Sequence, residues 1–341
     1  PHGGRVMNGR RIFITGGAGF LGRAILRRAE REGWGSEITI YSRDEEKQHQ
    51  IRDRWPSVHC ILGDIRNLDR LMVAMHGHDL VIHTAAVKFV PEAEYNVGET
   101  VEVNVQGAIN VAAAAYAAGV RAVVGISTDK ACLPINLYGA TKMLMERYYA
   151  EANNWGGGAR TRFVLARYGN VVGSTGSIVP VFRRQLERNG RVTVTDPAMT
   201  RFWLSPDDAV DLVVRAAEAA LAGAGGTTFV PRCGAMSIGD LARLIVEGWI
   251  SAADPGAVAT PRRSAEDYID IIGPRPAEKK HEALVHQFEL SRTTEFGWGF
   301  GIEPPVHSTV TTHPADEFTS DRAPAVTAEW MRDAMRDAAT I

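Results

Sequence analysis

Short runs rich in β-branched residues alternate with helix-length segments through the first half of the chain: RIFIT (11–15), EITIYS (37–42), VHCIL (58–62), DLVIHTAA (79–86), AVVGIST (122–128) and FVLARYGNVV (163–172). Strands separated by helix-length segments build βαβ units around a parallel sheet. The intervening stretches fit helices, among them Phe20–Glu32 and the alanine-rich Val103–Ala118, which stops at Gly119 as helices often do at a glycine. After Gly173 the pattern loosens into GSTGSIVPVF. RFWLSPDDAVDLVVRAAEAAL (201–221) then opens a helix at Ser205, Pro206 and Asp207, a serine cap before proline and acid. From about Pro231 onward, proline, glycine and charge increase between short helices, which marks a second lobe.

The sharpest local signal follows the first run. TGGAGFLG places Gly16, Gly19 and Gly22 directly after a strand, with Phe20 and Leu21 among the first residues of the helix it opens. Glycines there allow a tight turn and close approach of the backbone to a pyrophosphate, whose charge the helix N-terminus favours. In a repeated βαβ array the loop indicates dinucleotide binding. The expected fold class is therefore α/β, a Rossmann-type doubly wound parallel sheet with a smaller α/β C-terminal lobe.

The second run ends YSRDEEKQ, where a NAD enzyme would usually place an acid against the ribose 2′-hydroxyl. Ser42 and Arg43 come first instead. A hydroxyl beside a guanidinium suits a 2′-phosphate, with Lys47 as a helper, so the expected cofactor is NADP. Asp64 and Ile65, after the third run, are placed for the adenine edge. Ala85 and Ala86 offer small residues where a cofactor passes close to backbone.

The chain of 341 residues has a formal charge of −2, with 45% hydrophobic and 23% charged residues. That is an ordinary soluble globular composition with no broad attraction for nucleic acid or an anionic membrane, so a phosphorylated ligand must be held by local groups. The longest apolar stretch, VAAAAYAAGV (111–120), is too short to span a bilayer, and no signal-peptide pattern precedes it. The cytoplasm is the expected location. Residues 1–6, short and ahead of Met7, are expected to be an added remnant. Cys60, Cys132 and Cys233 are odd in number and lack metal-ligand spacing, so they read as reduced thiols. His76 and His78 read as a solvated turn, and no metal is expected.

STDKACLPINLYGATK (127–142) carries the chemistry. Tyr138 and Lys142 are four apart and share one helical face. With Thr128 upstream at a strand end, this is an arrangement in which a tyrosine hydroxyl takes or returns a proton during hydride transfer. A free tyrosine has a pKa of about 10, too high for a base at neutral pH; a lysine ammonium and a cationic nicotinamide ring both favour tyrosinate.

The chain resembles an extended short-chain dehydrogenase/reductase and, within that group, the inverting, soluble UDP-N-acetylglucosamine 4,6-dehydratases. The resemblance runs almost end to end through TGGAGFLG, YSRDEEKQ, HTAAVKFVPEAEYN, STDKACLPINLYGATK, RYGNVVGSTGSIVPVF, DPAMTRFW, GPRPAEKKHEAL and EFTSDRA. The Tyr-Lys helix is shared by the whole superfamily, whereas STDKA, MTRFW and EFTSD are narrow to this group. The chain departs from the pattern at Phe89, Cys132, Leu133 and Ala277, the last in place of a glycine.

The resemblance implies a UDP-sugar substrate, with Asn170, Arg201, Arg275 and Glu278 on its diphosphate and uridine side and Lys88 facing the sugar. It also implies a homo-oligomer, with the helices from 103 and from Tyr138 packing against a twin. The expected domains are 7–172 plus 200–230 for NADP and 173–199 plus 231–341 for the nucleotide sugar.

A simple dehydrogenase needs neither Asp129 nor Lys130, but elimination of water across C5 and C6 does. Once C4 is a ketone the C5 proton becomes acidic, so a base is required there and an acid for the departing C6 hydroxyl. Lys130 is expected as the base and Asp129 as the acid, with the Lys130 pKa drawn down by burial, Lys142 and the oxidised cofactor. Lys130 also stands where relatives that retain configuration place a glutamate, which implies inversion at C5. A UDP-sugar 4-epimerase, a dehydratase that releases the 5,6-ene, and a non-catalytic dinucleotide sensor remain as alternative readings.

Overall fold

The computed structural model of the chain describes residues 4–155, 161–253, 264–305 and 313–341. Its strands are β1 (Arg11–Thr15), β2 (Glu37–Ser42), β3 (His59–Leu62), β4 (Leu80–His83), β5 (Ala122–Thr128), β6 (Arg162–Tyr168), β7 (Asn170–Val171), β8 (Val192–Val194), β9 (Thr200–Leu204), β10 (Thr228–Pro231), β11 (Gly234–Ser237), β12 (Ile269–Ile271), β13 (Ala283–Val285), β14 (Thr293–Phe296), β15 (Gly299–Ile302) and β16 (Phe318–Thr319). The main helices are α1 (Phe20–Glu32), α2 (Glu45–Arg54), α3 (Leu68–Met75), α4 (Gly107–Ala117), α5 (Leu137–Ala152), α6 (Ile178–Asn189), α7 (Pro206–Leu221), α8 (Ile238–Ala253) and α9 (Ala328–Ala338).

One large sheet runs β14-β15-β10-β6-β5-β4-β1-β2-β3. From β3 to β10 its neighbours are parallel. Successive side chains of β1 point to opposite faces. Ile12 and Ile14 pack with Ile25 of α1 and Val210 and Val213 of α7, while Phe13 packs with Leu71 of α3, Val111 of α4 and Tyr149 of α5. Helices thus cover both faces, and every residue of β5 is buried, as a central parallel strand requires. The chain leaves β1 toward β2 on one side and returns to β4 on the other. The strand order reverses at β1, and ligands of such sheets bind outside the C-terminal ends of the strands at that switch point.

The smaller lobe is built on a β7-β9-β11 sheet and the β8–β12 and β13–β16 pairs. Phe182 and Leu186 of α6, Leu241 and Val246 of α8 and Met331 of α9 form its core with Trp203. Ser205 caps α7 in a reciprocal capping box with Asp208, as the sequence indicates.

Four expectations are modified. The helix expected from Val103 is interrupted: a π-helical turn at Glu102–Gln106 separates a short helix, Val97–Val101, from α4. Asn104 in that turn accepts from the Val87 backbone N–H at 2.8 Å and donates to the Val87 carbonyl at 2.8 Å and to the Thr141 hydroxyl at 3.0 Å, contacts that hydrophobic periodicity does not encode. The run 163–172 breaks at Gly169, where a Cβ would lie 2.6 Å from that of Phe202, and β7 crosses to the lobe.

The expected domain division places all of 231–341 in the lobe, but β14 and β15 extend the large sheet as an antiparallel hairpin. Conversely β9, expected in the cofactor domain, pairs with β7 and β11. Of the expected remnant 1–6, residues 1–3 lie outside the described residues. Gly4–Met7 form one helical turn in which Val6 packs on the core and Met7 is fully buried.

Candidate active site

β5 ends at Thr128, and Asp129–Ala131 follow as a single 3-10 turn. The Thr128 Oγ1 accepts from the Lys130 backbone N–H at 3.3 Å, and its hydroxyl donates to Asp129 Oδ1 at 2.9 Å. Lys130 Nζ donates to the same Asp129 oxygen at 3.0 Å and lies 3.6 Å from Glu282 Oε1. Asn136 caps α5 by accepting from the Gly139 N–H at 2.8 Å. A Cβ at Gly139 would lie 2.1 Å from the Lys130 carbonyl oxygen. Only a glycine lets the Asp129–Lys130 turn rest on the first turn of α5, which sets the Tyr138 hydroxyl in hydrogen-bonding reach of Thr128. Sequence reasoning did not single out Gly139, although it directly follows the tyrosine.

The electrostatics differ from expectation in two respects. Burial pushes the Tyr138 hydroxyl up to about 12, against the opposing pull of Lys130 and the Thr128 hydrogen bond. The cation acting on Tyr138 is thus Lys130. Lys142 is buried, its ammonium contacts Met145 Sδ at 3.5 Å, and burial brings it down to about 8 despite Glu146. Lys130 itself is held above its ordinary value: burial acts to lower it, but the carboxylates of Asp129 and Glu282 outweigh both burial and Arg201. The expected depression of Lys130 is therefore absent, because Asp129 and, beside it, Glu282 favour the ammonium. Glu282, four residues after Glu278 in EKKHE, is the charged member that sequence reasoning missed.

Glu282 also lies 4.0 Å from Arg201 Nε, and Arg201 is 3.5 Å from Glu278 Oε1. The buried Arg201 donates to the Thr200 and Lys280 carbonyls at 2.8 and 3.1 Å. Asn170 is the β7 partner of Trp203 on β9, two residues from Arg201. Arg275 is exposed, and only its backbone N–H reaches Glu278, at 3.3 Å. Lys88 is also exposed, with its ammonium 5.8 Å from the centre of the Phe89 ring. That ring lies against Gly176, so the loop after β4 meets the loop after β7. The structure thus joins Thr128, Asp129, Lys130, Tyr138 and Arg201 through Glu282, and leaves the Arg275 side chain at the surface.

Ala277 has φ +60° where the resembling family carries glycine. The left-handed region costs an L-residue with a Cβ about 1–2 kcal/mol, part of which glycine returns through its more flexible unfolded chain. Ala277→Gly should therefore raise stability by up to about 1 kcal/mol, seen as a higher urea midpoint at unchanged m. A fall in the midpoint contradicts this reading.

Behind the turn, the buried Arg167 of β6 makes paired bonds to Glu146 of α5 (2.9 and 2.6 Å) and to Glu289 (2.8 and 3.0 Å). Cys132 and His286 converge on the same Glu289, a grouping with metal-ligand atoms. The Glu289 oxygens are already engaged by Arg167 and Arg292. His78, by contrast, spends its ring nitrogens on Thr39 Oγ1 at 2.9 Å and the Met75 carbonyl at 3.1 Å.

The residues after β1 fit a dinucleotide. Gly16 has φ +66°, and a Cβ there would lie 2.8 Å from the Ala85 backbone, so the loop after β1 packs directly on the segment after β4. A Cβ at Gly22 would lie 2.0 Å from the Gly17 carbonyl, which lets α1, opened by Phe20 and Leu21, sit tight under the loop. No side chain caps the N-terminus of α1 at Gly19, leaving its N–H groups available to an anion. Ser42 Oγ accepts from Gln48 at 3.0 Å. Arg43 is half exposed, 3.5 Å from Asp64 and 3.8 Å from Glu99. Lys47 pairs instead with Asp44, the cap of α2. The Asp64 carboxylate holds Arg66, and the Ile65 side chain is buried against Gly107, so Ile65 can meet an adenine only through its backbone.

The doubly wound sheet, the glycine loop at its switch point and the Thr128, Tyr138 and Lys142 set define an extended short-chain dehydrogenase/reductase. Within that class, the chain belongs to the family described as polysaccharide biosynthesis protein, whose pattern matches residues 12–303.

It is 39% identical to a UDP-N-acetylglucosamine 4,6-dehydratase (inverting) of Campylobacter jejuni, across 88% of this chain and 85% of the relative. It is 37% identical to a UDP-glucose 4-epimerase of Rickettsia massiliae, across 83% and 80%. The X-ray structure of Pen from Bacillus thuringiensis superposes with a TM-score of 0.86 at 32% identity, covering 98% of this chain and 99% of that one. DesIV, a dTDP-glucose 4,6-dehydratase of Streptomyces venezuelae with NAD bound, shares the fold at a TM-score of 0.67 and 20% identity, covering 79% and 86%.

Proposed function

We propose that the protein is an NADP-dependent nucleotide-sugar 4,6-dehydratase, a lyase acting on UDP-N-acetylglucosamine or a close UDP-sugar. The observation that carries this reading is the Asp129–Lys130 pair, 3.0 Å apart and set beside Thr128 and Tyr138 on the glycine-flanked turn. A dehydrogenase or an epimerase has no step that uses a second acid and base there. When bound, a nicotinamide dinucleotide would supply a hydride acceptor for C4 and a hydride donor for C6, which would leave the net reaction redox-neutral.

Tyr138 takes the C4 hydroxyl proton, with Thr128 orienting it. Lys130 takes the C5 proton and Asp129 protonates the departing C6 hydroxyl. Asp129 is fully buried and its Oδ2 has no hydrogen-bond partner, so that oxygen is free to face the leaving group. Arg201, Asn170 and Glu278 serve the nucleotide diphosphate side.

No helix among the described residues is long and apolar enough to cross a membrane. We place the protein in the cytoplasm as a homo-oligomer. Val101, Tyr116 and Leu144, on and beside α4 and α5, are apolar and exposed, which suits packing against a twin.

NADP is favoured over NAD by Ser42 and Arg43, which stand at the end of β2 where a NAD enzyme usually places an acid. Arg43→Asp should invert the preference toward NAD, read from binding constants for the two cofactors. Comparable affinity of the natural protein for both would remove Arg43 from this role.

The whole reading is tested by incubating the purified protein with UDP-N-acetylglucosamine and recording product mass and proton spectrum. Loss of one water without accumulation of reduced cofactor is expected. Unchanged mass with an altered C4 would mean an epimerase, and a 5,6-ene with stoichiometric reduced cofactor a truncated reaction.

A further inference from the structure

We propose that Glu282, supplied by the C-terminal lobe, is a positioning residue of the acid–base centre. It fixes the Lys130 ammonium between two carboxylates, sets how readily that lysine gives up its proton, and ties this to the arginine assigned to the substrate diphosphate. The inference rests on the dehydratase reading, in which Lys130 must be a neutral amine before it can take the C5 proton.

Glu282 immediately precedes β13, and its backbone is locked on both sides. Its N–H donates to Ser320 Oγ at 2.9 Å, and its carbonyl accepts from the Ser320 N–H at 2.8 Å. The side chain is 3% exposed. Oε1 lies 3.6 Å from Lys130 Nζ and 4.0 Å from Arg201 Nε, while among the described residues Oε2 has no hydrogen-bond partner and only Lys279, at 3.9 Å, as an ionic neighbour. A buried carboxylate so sparsely bonded is costly to retain unless neighbouring charges compensate for it. Here one oxygen bridges the base of one step to the arginine of another.

The groups facing Lys130 are few. Asp129 comes from its own turn, Glu282 from the segment before β13, Arg201 from β9, and the Tyr138 hydroxyl from α5. The two carboxylates favour the ammonium and Arg201 opposes it. Because Glu282 also neutralises Arg201, any anion that engages Arg201 changes the field at Lys130 through the same carboxylate. A diphosphate bound there neutralises Arg201 and leaves more of the Glu282 charge to Lys130, so filling the nucleotide site is coupled to the base in the sense of holding its proton until the chemistry calls for it. The proton that Lys130 sheds has an acceptor 3.0 Å away in Asp129 Oδ1. That transfer breaks one N–H bond, forms one O–H bond, and leaves both the neutral base and the protonated acid that elimination needs.

The test is the pH dependence of C5 hydrogen exchange into product in D₂O, followed by NMR with UDP-N-acetylglucosamine. Natural protein is compared with Glu282→Gln and Glu282→Asp, and cofactor retention and a thermal melt report folding. Removing the charge favours the neutral amine, so the acid limb of the profile should move to lower pH by about one unit or more in Glu282→Gln, with a change in KM as Arg201 loses its partner. Glu282→Asp, which draws the charge back but keeps it, should move the limb in the same direction by less, and it carries the test if Glu282→Gln does not fold. A lower rate with an unmoved limb would make Glu282 merely structural and overturn the proposal, as would a limb moved to higher pH. Absence of any dehydrated product from the natural protein would instead strike the functional reading itself.

Discussion

Tyr138→Phe is expected to lose C4 oxidation by about 10²-fold or more while still binding its cofactor, because the change removes the proton acceptor without emptying the pocket. Burial holds this hydroxyl up at about 12 against the pull of Lys130, so a further positive charge, such as a cationic nicotinamide ring would bring, is needed to favour the phenolate at neutral pH. With Lys142 brought down to about 8, its own charge declines as pH rises past that value. Lys130, held above the ordinary lysine range by Asp129 and Glu282, stays charged. Single-turnover reduction of the cofactor measures the step directly. A near-normal rate in Tyr138→Phe would mean that another group takes the C4 hydroxyl proton.

Lys130→Ala should separate the half-reactions. Oxidation at C4 depends on Tyr138 and should continue, slowed by the loss of the cation that favours its phenolate, whereas C5 exchange with solvent should fall by about 10²-fold or more, the usual scale for loss of a general base. The variant also leaves Asp129 and Glu282 buried without the cation between them, so a lower melting temperature is expected alongside the kinetic effect. Reduced cofactor forming transiently without C5 deuteration is the expected signature. Rapid turnover with normal deuteration would remove Lys130 from the role of base.

Much of this arrangement is legible in the chain. The runs RIFIT and AVVGIST coincide with β1 and β5 because parallel strands buried on both faces must be continuously apolar, and Ser205 announces α7 because an orphan helix N-terminus needs a side-chain acceptor. STDKA and LYGATK are adjacent in sequence, so their meeting in space needs only one turn and Gly139.

What the sequence hides is long-range. Asn104 reaches Val87 and Thr141 from a π turn that periodicity reads as ordinary helix. The β14–β15 hairpin rejoins the large sheet from deep in the second lobe. Glu282 enters the site from a segment that, as residues, reads as surface charge, EKKHE, and adds to the neighbouring Asp129 in holding Lys130 above its ordinary value. The Asp129 contribution is local to STDKA, whereas no local motif encodes the one from Glu282.

The most direct test is to supply the natural protein with UDP-N-acetylglucosamine in D₂O and read product mass, C5 configuration and C5 label by NMR. The account predicts a 4-keto-6-deoxy sugar formed by loss of one water, deuterated and inverted at C5, with no net consumption of NADP. An isomer of the substrate altered only at C4, or a deoxy product with C5 retained, would contradict it.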